Sequence, residues 1–245
     1  MTAYDNSYLA LDTSGGSFGV CAVKSGEMFV RTSNGSSDRK SLPELVSGAL
    51  DDANLDFPGL AGIAVSTGPG SFTGLRVGLA FAKAIALARK IPLLGISSFE
   101  QALGSDTVKR SGHVDLLLIH MKADSYYVYA PGGLNSFDPE RIRVAGIAEF
   151  VEIAREGAVK DGGVPADGRY CFIDSPAPEA FLATAEGAER ALTVPREITE
   201  LARLAAERFD RNEVVDWRRI EPHYAQRSNA EINFDARQGK QTDAG

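Results

Sequence analysis

The strongest hydrophobic pattern in the chain is helical and extends from Phe72 to Ala88. A Gly-Pro-Gly turn precedes it, and Ser71 stands in the position of an N-cap. Projected at about 100° per residue, apolar side chains surround almost the whole circumference, interrupted by Arg76 and Lys83. A helix that is apolar nearly all round needs cover on more than one side. The pattern therefore predicts either a helix sandwiched inside its own domain or one shared with a second protein.

Small residues form a stripe along this helix at Gly74, Gly78 and Ala82. Such a stripe allows another element to approach closely, but it does not say which. A glycine-rich turn before a helix is also a ready anion site. Here the glycine spacing fits neither the dinucleotide fingerprint nor a P-loop. What the turn binds stays open at this point.

Shorter apolar runs, bounded by Gly, Pro, Asn or Ser, predict ten strands. They are residues 8–12, 17–24, 28–32, 60–66, 92–96, 114–119, 126–130, 141–144, 170–173 and 191–194. Helical spacing predicts four further helices, at 41–53, 147–155, 178–185 and 196–209, the first with a capping box. Strands that alternate with helices in this order indicate an α/β protein with mixed sheets.

The composition restricts the number of domains and the classes of function that the chain can have. The 245 residues are 44% hydrophobic and 24% charged, as in ordinary globular proteins, and can form one large or two small domains. A net charge of −7 argues against a chain-wide basic face for nucleic acid. Cys21 and Cys171 lie in apolar runs, which favours reduced core thiols. No signal peptide or membrane span is expected, so we predict a cytoplasmic protein.

Candidate catalytic groups are few. The three histidines, His113, His120 and His223, do not have the spacing of a metal motif, so we expect no metal site and no catalytic residues. Ser17 lies in a Gly-x-Ser-x-Gly match, but a strand follows it where a nucleophile elbow needs a helix.

Asp12 is the carboxylate with the clearest alternative roles. It ends the first predicted strand, directly before the turn Thr13-Ser14-Gly15. Such a turn can present backbone amides to a phosphate while the carboxylate holds magnesium through water. A turn aspartate that bonds its own backbone is an equally good interpretation. We treat residues 12–15 as a vestigial phosphate hairpin.

Several segments together resemble the TsaB family, also called YeaZ. They are YLALDTSGGSFGVCAV, SLPELV, STGPGSFTGLRVGLAFAKAIAL, GISSFEQAL, YYVYA and EPHYAQRS, spread over roughly residues 8–230. The motif GPGSFTGLRVG is the most specific of them. Two positions depart from the family: Ser37-Asp38-Arg39 stand where many members have a histidine, and His120 where many have an aspartate.

The resemblance implies an actin-like fold of the sugar kinase/heat-shock ATPase superfamily, with two lobes and a shortened second lobe. It implies a first lobe of residues 1–104 plus 195–212, and a second lobe of residues 105–194 plus 213–232. The final helix should then pack on the first lobe. The polar residues 233–245 are expected to be a disordered tail.

The resemblance also implies a non-catalytic subunit that pairs with a TsaD-type paralogue, or with a second copy of itself. A TsaE-type ATPase joins them, and tRNA is met only through the complex. This chain is expected to hold no cofactor, with ATP and metal on the partner subunits. The expected partner interface uses the first two helices, through Leu42, Leu45, Val46, Phe72, Leu75, Arg76, Gly78, Leu79 and Ala82.

Two other functions stay open. One is a metal-dependent, glycoprotease-like hydrolase, against which the missing pair of metal-binding histidines counts. The other is a small-molecule kinase with Asp12 at its phosphate site, against which the missing second phosphate motif counts.

The acidic charge yields a prediction about tRNA. Binding to the phosphate backbone depends on lysine and arginine contacts, and the net charge of −7 leaves the lone chain short of them. We expect a tRNA dissociation constant of about 10 µM or weaker at physiological salt, with little sequence preference. Filter binding or fluorescence anisotropy would measure it. Submicromolar binding by the isolated chain would contradict the expectation.

Overall fold

The computed structural model describes residues 7–33, 40–132, 137–150, 152–153 and 168–223, which form two five-stranded mixed sheets. The strands are β1 (Ser7–Asp12), β2 (Gly19–Lys24), β3 (Glu27–Thr32), β4 (Gly62–Gly68), β5 (Leu93–Ser97), β6 (Val114–Lys122), β7 (Ser125–Tyr129), β8 (Ile142–Gly146), β9 (Arg169–Ile173) and β10 (Ala191–Val194). The α-helices are α1 (Leu42–Asp52), α2 (Phe72–Arg89), α3 (Ser98–Gly104), α4 (Asp106–Arg110), α5 (Glu179–Leu182), α6 (Ala185–Arg190) and α7 (Ile198–Asp210).

The two sheets have the same topology. The first has the order β3-β2-β1-β4-β5 and the second the order β10-β9-β6-β7-β8, which is the same arrangement read from the other edge. In each, an antiparallel meander of three strands is followed by two strands parallel to the first strand of that meander. This repetition confirms an α/β fold of two lobes, each built around a mixed sheet.

Helices cover both faces of the first sheet. Helices α1 and α2 pack on one face, where Leu45, Val46 and Leu79 join the apolar side chains of β1, β2 and β4. Helix α7 packs on the opposite face with Leu201 and Phe209. Helix α7, the last α-helix of the described residues, therefore completes the core of a sheet that the first 97 residues form.

The second sheet carries two different cores. On one face α3 and α4 add Phe99, Leu103 and Val108 to the side chains of the strands. On the other face lies an aromatic cluster that includes Phe150, Phe172 and Phe181, whose rings lie 5.7–6.2 Å apart. Helix α3 also packs against α7, so it lies between the two lobes.

The ten strands predicted from the sequence are confirmed, with ends that shift by up to about three residues. Three short helices, α3, α4 and α6, were missed because their five to seven residues are too few to show helical periodicity. The helix predicted at 147–155 begins as a single 3-10 turn, Ile147–Glu149, and most of the remainder lies outside the described residues. The predicted disordered tail, residues 233–245, also lies outside them.

Among the residues that the structure describes, no helix combines the length and the apolar character required to cross a bilayer.

The burial of the two cysteines yields a prediction about thiol chemistry. Both thiols are free and wholly buried. Burial raises the pKa of Cys21 to about 11 and that of Cys171 to about 12. Because the thiolate is the reactive form, neither should react with a chromogenic disulfide reagent at pH 8 in the folded chain, and both should react in denaturant. Arg89→Cys, on an exposed position, provides a matched reactive control. A native thiol that reacts as fast as this control would contradict the prediction.

Candidate functional site

The carboxylate of Asp12 is held by its own turn. Its Oδ1 accepts hydrogen bonds from the backbone nitrogen of Ser14, at 2.9 Å, and from the Ser14 hydroxyl. The side chain is buried, with the residue only 5% exposed. Of the two interpretations open from the sequence, the structure shows the aspartate that bonds its own turn.

The Ser14 hydroxyl connects this turn to two other serines. Ser66, on β4, lies 3.1 Å from it, and Ser98, at the start of α3, lies 3.2 Å from it. Ser66 and Ser98 are in turn 3.2 Å apart, and all three residues are buried. A hydroxyl donates one hydrogen bond and accepts two. Ser14 therefore donates to Asp12 and has two acceptor positions, one of which the Ser66 hydroxyl occupies.

A small cleft lies beside this serine network, between the first hairpin and Asp174, and Arg196 lines it. Its Nη1 donates to the Ser14 hydroxyl, and its Nε lies 3.1 Å from Oδ2 of Asp174 at the end of β9. The cavity that remains, lined by Asp12, Gly15 and Ser17 among others, has a volume of about 60 Å³. Sites for cofactors and other small molecules usually measure about 300–1,000 Å³, so a nucleotide does not fit in this arrangement.

Sequence reasoning missed Arg196, Asp174, Ser66 and Ser98 at this site. Arg196 is 182 positions from Ser14, and no motif links the two. Three of the four residues of the predicted hairpin, by contrast, lie at the cleft: Asp12 and Gly15 line it, and Ser14 accepts from Arg196. Thr13 donates its hydroxyl to the carbonyl of Gly74, at 2.7 Å, so it faces α2 and not the cleft.

The three histidines lie apart and have ordinary surroundings. The exposed ring of His120 lies 2.9 Å from the carbonyl of Ala123, and His113 pairs with Asp115 at 3.3 Å. Burial lowers the pKa of His223. Within the described ranges, no group of three or more His, Cys, Asp or Glu side chains is placed to hold a metal ion.

A larger cavity, of about 600 Å³, lies between α3 and α7. Charged side chains line it, among them Lys109, and several form ion pairs: Arg208 with Glu100 and Glu213, Arg203 with Glu207, and Arg211 with Glu213. Burial raises the pKa of Glu100, and the neighbouring Arg208 opposes that shift. The pair of Arg208 and Glu100 joins α7 to α3.

Most residues of the predicted partner interface are buried in the chain's own core. Seven of the nine are buried: Leu42, Leu45, Val46, Leu75, Gly78, Leu79 and Ala82. A Cβ at Gly78 would lie 2.1 Å from the hydroxyl oxygen of Thr13. The small-residue stripe therefore serves the hairpin of the same chain. This corrects the side of α2 that was assigned to a partner.

The opposite side of α2 is exposed and apolar. Phe72, Val77 and Leu87 are 44%, 43% and 58% exposed. A second row of small residues, Ala80, Ala84 and Ala88, is exposed beside them. Of the predicted interface, Phe72 and Arg76 belong to this side, and the Arg76 guanidinium stacks on the Phe72 ring at 3.8 Å. This surface, which we call the outer face of α2, is the remaining candidate for a partner.

Part of the sequence is similar to known tRNA-modifying transferases. Residues 36–135 match the family model of TsaD, tRNA N6-adenosine threonylcarbamoyltransferase. A protein with that name from Geobacter metallireducens is 27% identical over 147 residues, which cover 57% of this chain and 43% of the relative. One from Desulfitobacterium hafniense is 39% identical over 93 residues, which cover 37% and 27%. The matches span less than half the length of these relatives.

Solved structures extend the likeness to most of the chain. YeaZ from Pseudomonas aeruginosa superposes with a TM-score of 0.58 at 22% identity, covering 89% of this chain and 99% of that one. A second Pseudomonas aeruginosa structure, described as similar to peptidase YEAZ, gives a TM-score of 0.59. The fold is thus the actin-like α/β fold of YeaZ, and the matching segment relates the sequence to TsaD. The chain is therefore similar to YeaZ in fold, and its residues 36–135 are similar to TsaD in sequence.

Proposed function

We propose that this chain is a non-catalytic subunit of the machinery that forms N6-threonylcarbamoyladenosine in tRNA. It pairs with a TsaD-type transferase and supports transfer of the threonylcarbamoyl group to the adenosine next to the anticodon. The observation that carries the proposal is the outer face of α2, an exposed apolar helix surface on a protein whose own cleft is filled by its side chains. Such surfaces on soluble proteins mark interaction sites.

The side-chain contacts in the cleft support the proposal that this chain is a non-catalytic subunit. Asp12 is engaged by its own turn, and Arg196 stands at the mouth of a cavity of about 60 Å³. We therefore assign ATP and metal to the partner subunits, the TsaD-type transferase and a TsaE-type ATPase. Transfer RNA is bound through the complex.

The outer face of α2 supports the pairing. Ala80, Ala84 and Ala88 allow a partner helix to approach, while Phe72, Val77 and Leu87 supply apolar area. A stable interface buries about 1,200–2,000 Å² in total, so other parts of the first lobe must contribute beside α2. The same face is able to pair with a second copy of the chain when the transferase is absent.

A charge on the outer face of α2 should weaken the pairing without unfolding the chain. Leu87→Glu is at an exposed position, so the free energy of unfolding should change by less than about 0.5 kcal/mol. Burial of the unpaired carboxylate at the interface should raise the dissociation constant for the TsaD-type transferase by roughly thirtyfold or more. Calorimetry of the purified pair would measure the affinity, and threonylcarbamoylation in a reconstituted system should fall in parallel.

Two matched variants control this experiment. Leu182→Glu places the same charge on α5, at a leucine that is 42% exposed in the second lobe, and should leave the pairing intact. Leu79→Glu places it in the core of the first lobe, at a residue 7% exposed, and should unfold the chain. Full affinity in folded Leu87→Glu would refute the assignment of this face.

The closed cleft predicts a lack of turnover in the isolated chain. Purified protein should hydrolyse neither ATP nor peptides, because Asp12 is engaged by its turn and the cavity does not accept a nucleotide. Coupled-enzyme and peptidase assays before and after a second purification would measure this. ATP hydrolysis that survives repurification and is abolished by Asp12→Ala would support the kinase alternative instead.

A further inference from the structure

Arg196 contacts both lobes at the mouth of the hairpin cleft. It lies in the segment that carries the chain from β10, on the second sheet, to α7, on the first. Its backbone nitrogen donates to Oδ1 of Asp174 at 2.7 Å, and its Nε lies 3.1 Å from Oδ2 of the same carboxylate. Its Nη1 donates to the Ser14 hydroxyl in the turn after β1. One side chain thus joins the end of β9 to the first hairpin.

The backbone at Asp174 and at Gly15 accommodates the contact between Arg196 and Asp174. Asp174 has a φ of +56°, in the left-handed region that few residues other than glycine adopt. Gly15 provides the space opposite, since a Cβ there would lie 3.1 Å from Oδ2 of Asp174 and 3.9 Å from Nη1 of Arg196.

The guanidinium is also shielded from water. The Arg196 side chain is only 5% exposed, and that of Asp174 is 35% exposed. A buried guanidinium needs an ion-pair partner and hydrogen bonds. Here Asp174 supplies the ion pair and the Ser14 hydroxyl accepts from Nη1, while the buried Nε makes no hydrogen bond among the described residues. Since Arg196 is held to Asp174 by its backbone hydrogen bond and by the ion pair, separation of the lobes would break first the hydrogen bond to Ser14.

We propose that Arg196 is an interlobe latch, which holds the cleft closed and fixes the relative arrangement of the lobes without a bound ligand. The latch has three parts: the carboxylate of Asp174 on the second lobe, the guanidinium of Arg196, and the Ser14 hydroxyl on the first. It keeps the lobe that carries α2 in one orientation relative to the second sheet.

The test measures the distance between the lobes directly. Spin labels at Arg89→Cys on α2 and Glu189→Cys on α6 occupy exposed positions, while the native thiols are buried. The unlatched variant is Arg196→Met, which removes the charge and retains an unbranched apolar side chain. We expect one narrow distance distribution with Arg196 and a broadened or second population in Arg196→Met. Amide hydrogen exchange in residues 12–19 should become roughly tenfold faster or more, from loss of a charge-assisted hydrogen bond.

Two controls separate the latch from a general loss of stability. Arg211→Met removes an exposed arginine at the far end of α7, which is paired with Glu213, and should change neither measurement. Asp174→Asn keeps the size of the side chain and weakens the latch, so it should broaden the distances even if Arg196→Met does not fold. A folded Arg196→Met or Asp174→Asn chain with the original distance distribution and exchange rates would overturn the proposal.

Discussion

The close approach of the first hairpin to α2 determines the arrangement of the first lobe. A Cβ on Gly74 would lie 1.9 Å from the carbonyl oxygen of Thr13, and one on Gly70 would lie 2.2 Å from that of Ser14. The Ser71 nitrogen donates to the same Ser14 carbonyl at 2.7 Å. Because backbone meets backbone, glycine is required at both positions. The turn that carries Asp12 and Ser14 is therefore fixed in place by the helix, and the outer face of that helix is fixed with it.

This contact also explains where sequence reasoning succeeded and where it did not. The spacing of apolar residues was enough to locate the strands and α2 in the sequence, because each of these elements is long enough to show its period more than once. It could not orient α2, since a helix apolar nearly all round has no preferred side. The stripe of Gly74, Gly78 and Ala82 suits a partner helix, yet its two glycines lie against Thr13 of the same chain and Ala82 lies in the core of the first lobe. Which side of such a helix is buried depends on contacts distant in sequence.

The residues around the cleft also show that a local sequence pattern does not reveal contacts between distant segments. Asp12 and its turn could be located from the sequence, because a strand followed by a Ser- and Gly-rich turn is a local pattern. The groups that engage the turn come from β4, α3 and the segment before α7, and they meet only when both lobes are assembled. Ser66, Ser98 and Arg196 have no local signal, so the chemistry of the cleft was not predictable residue by residue. The fold could be predicted because the apolar periods place the strands and several motifs resemble the TsaB family.

The position of α7 has a consequence for synthesis of the chain. Residues such as Ala10, Cys21, Ala64 and Ile96 form a sheet face that α7 covers, although α7 begins about a hundred residues after the last strand of that sheet. On the ribosome the strands of the first lobe emerge early, and this face has no permanent cover until Ile198–Asp210 has followed. The nascent first lobe therefore exposes an apolar sheet surface while the second lobe is being made, and chaperones or the growing chain must shield it.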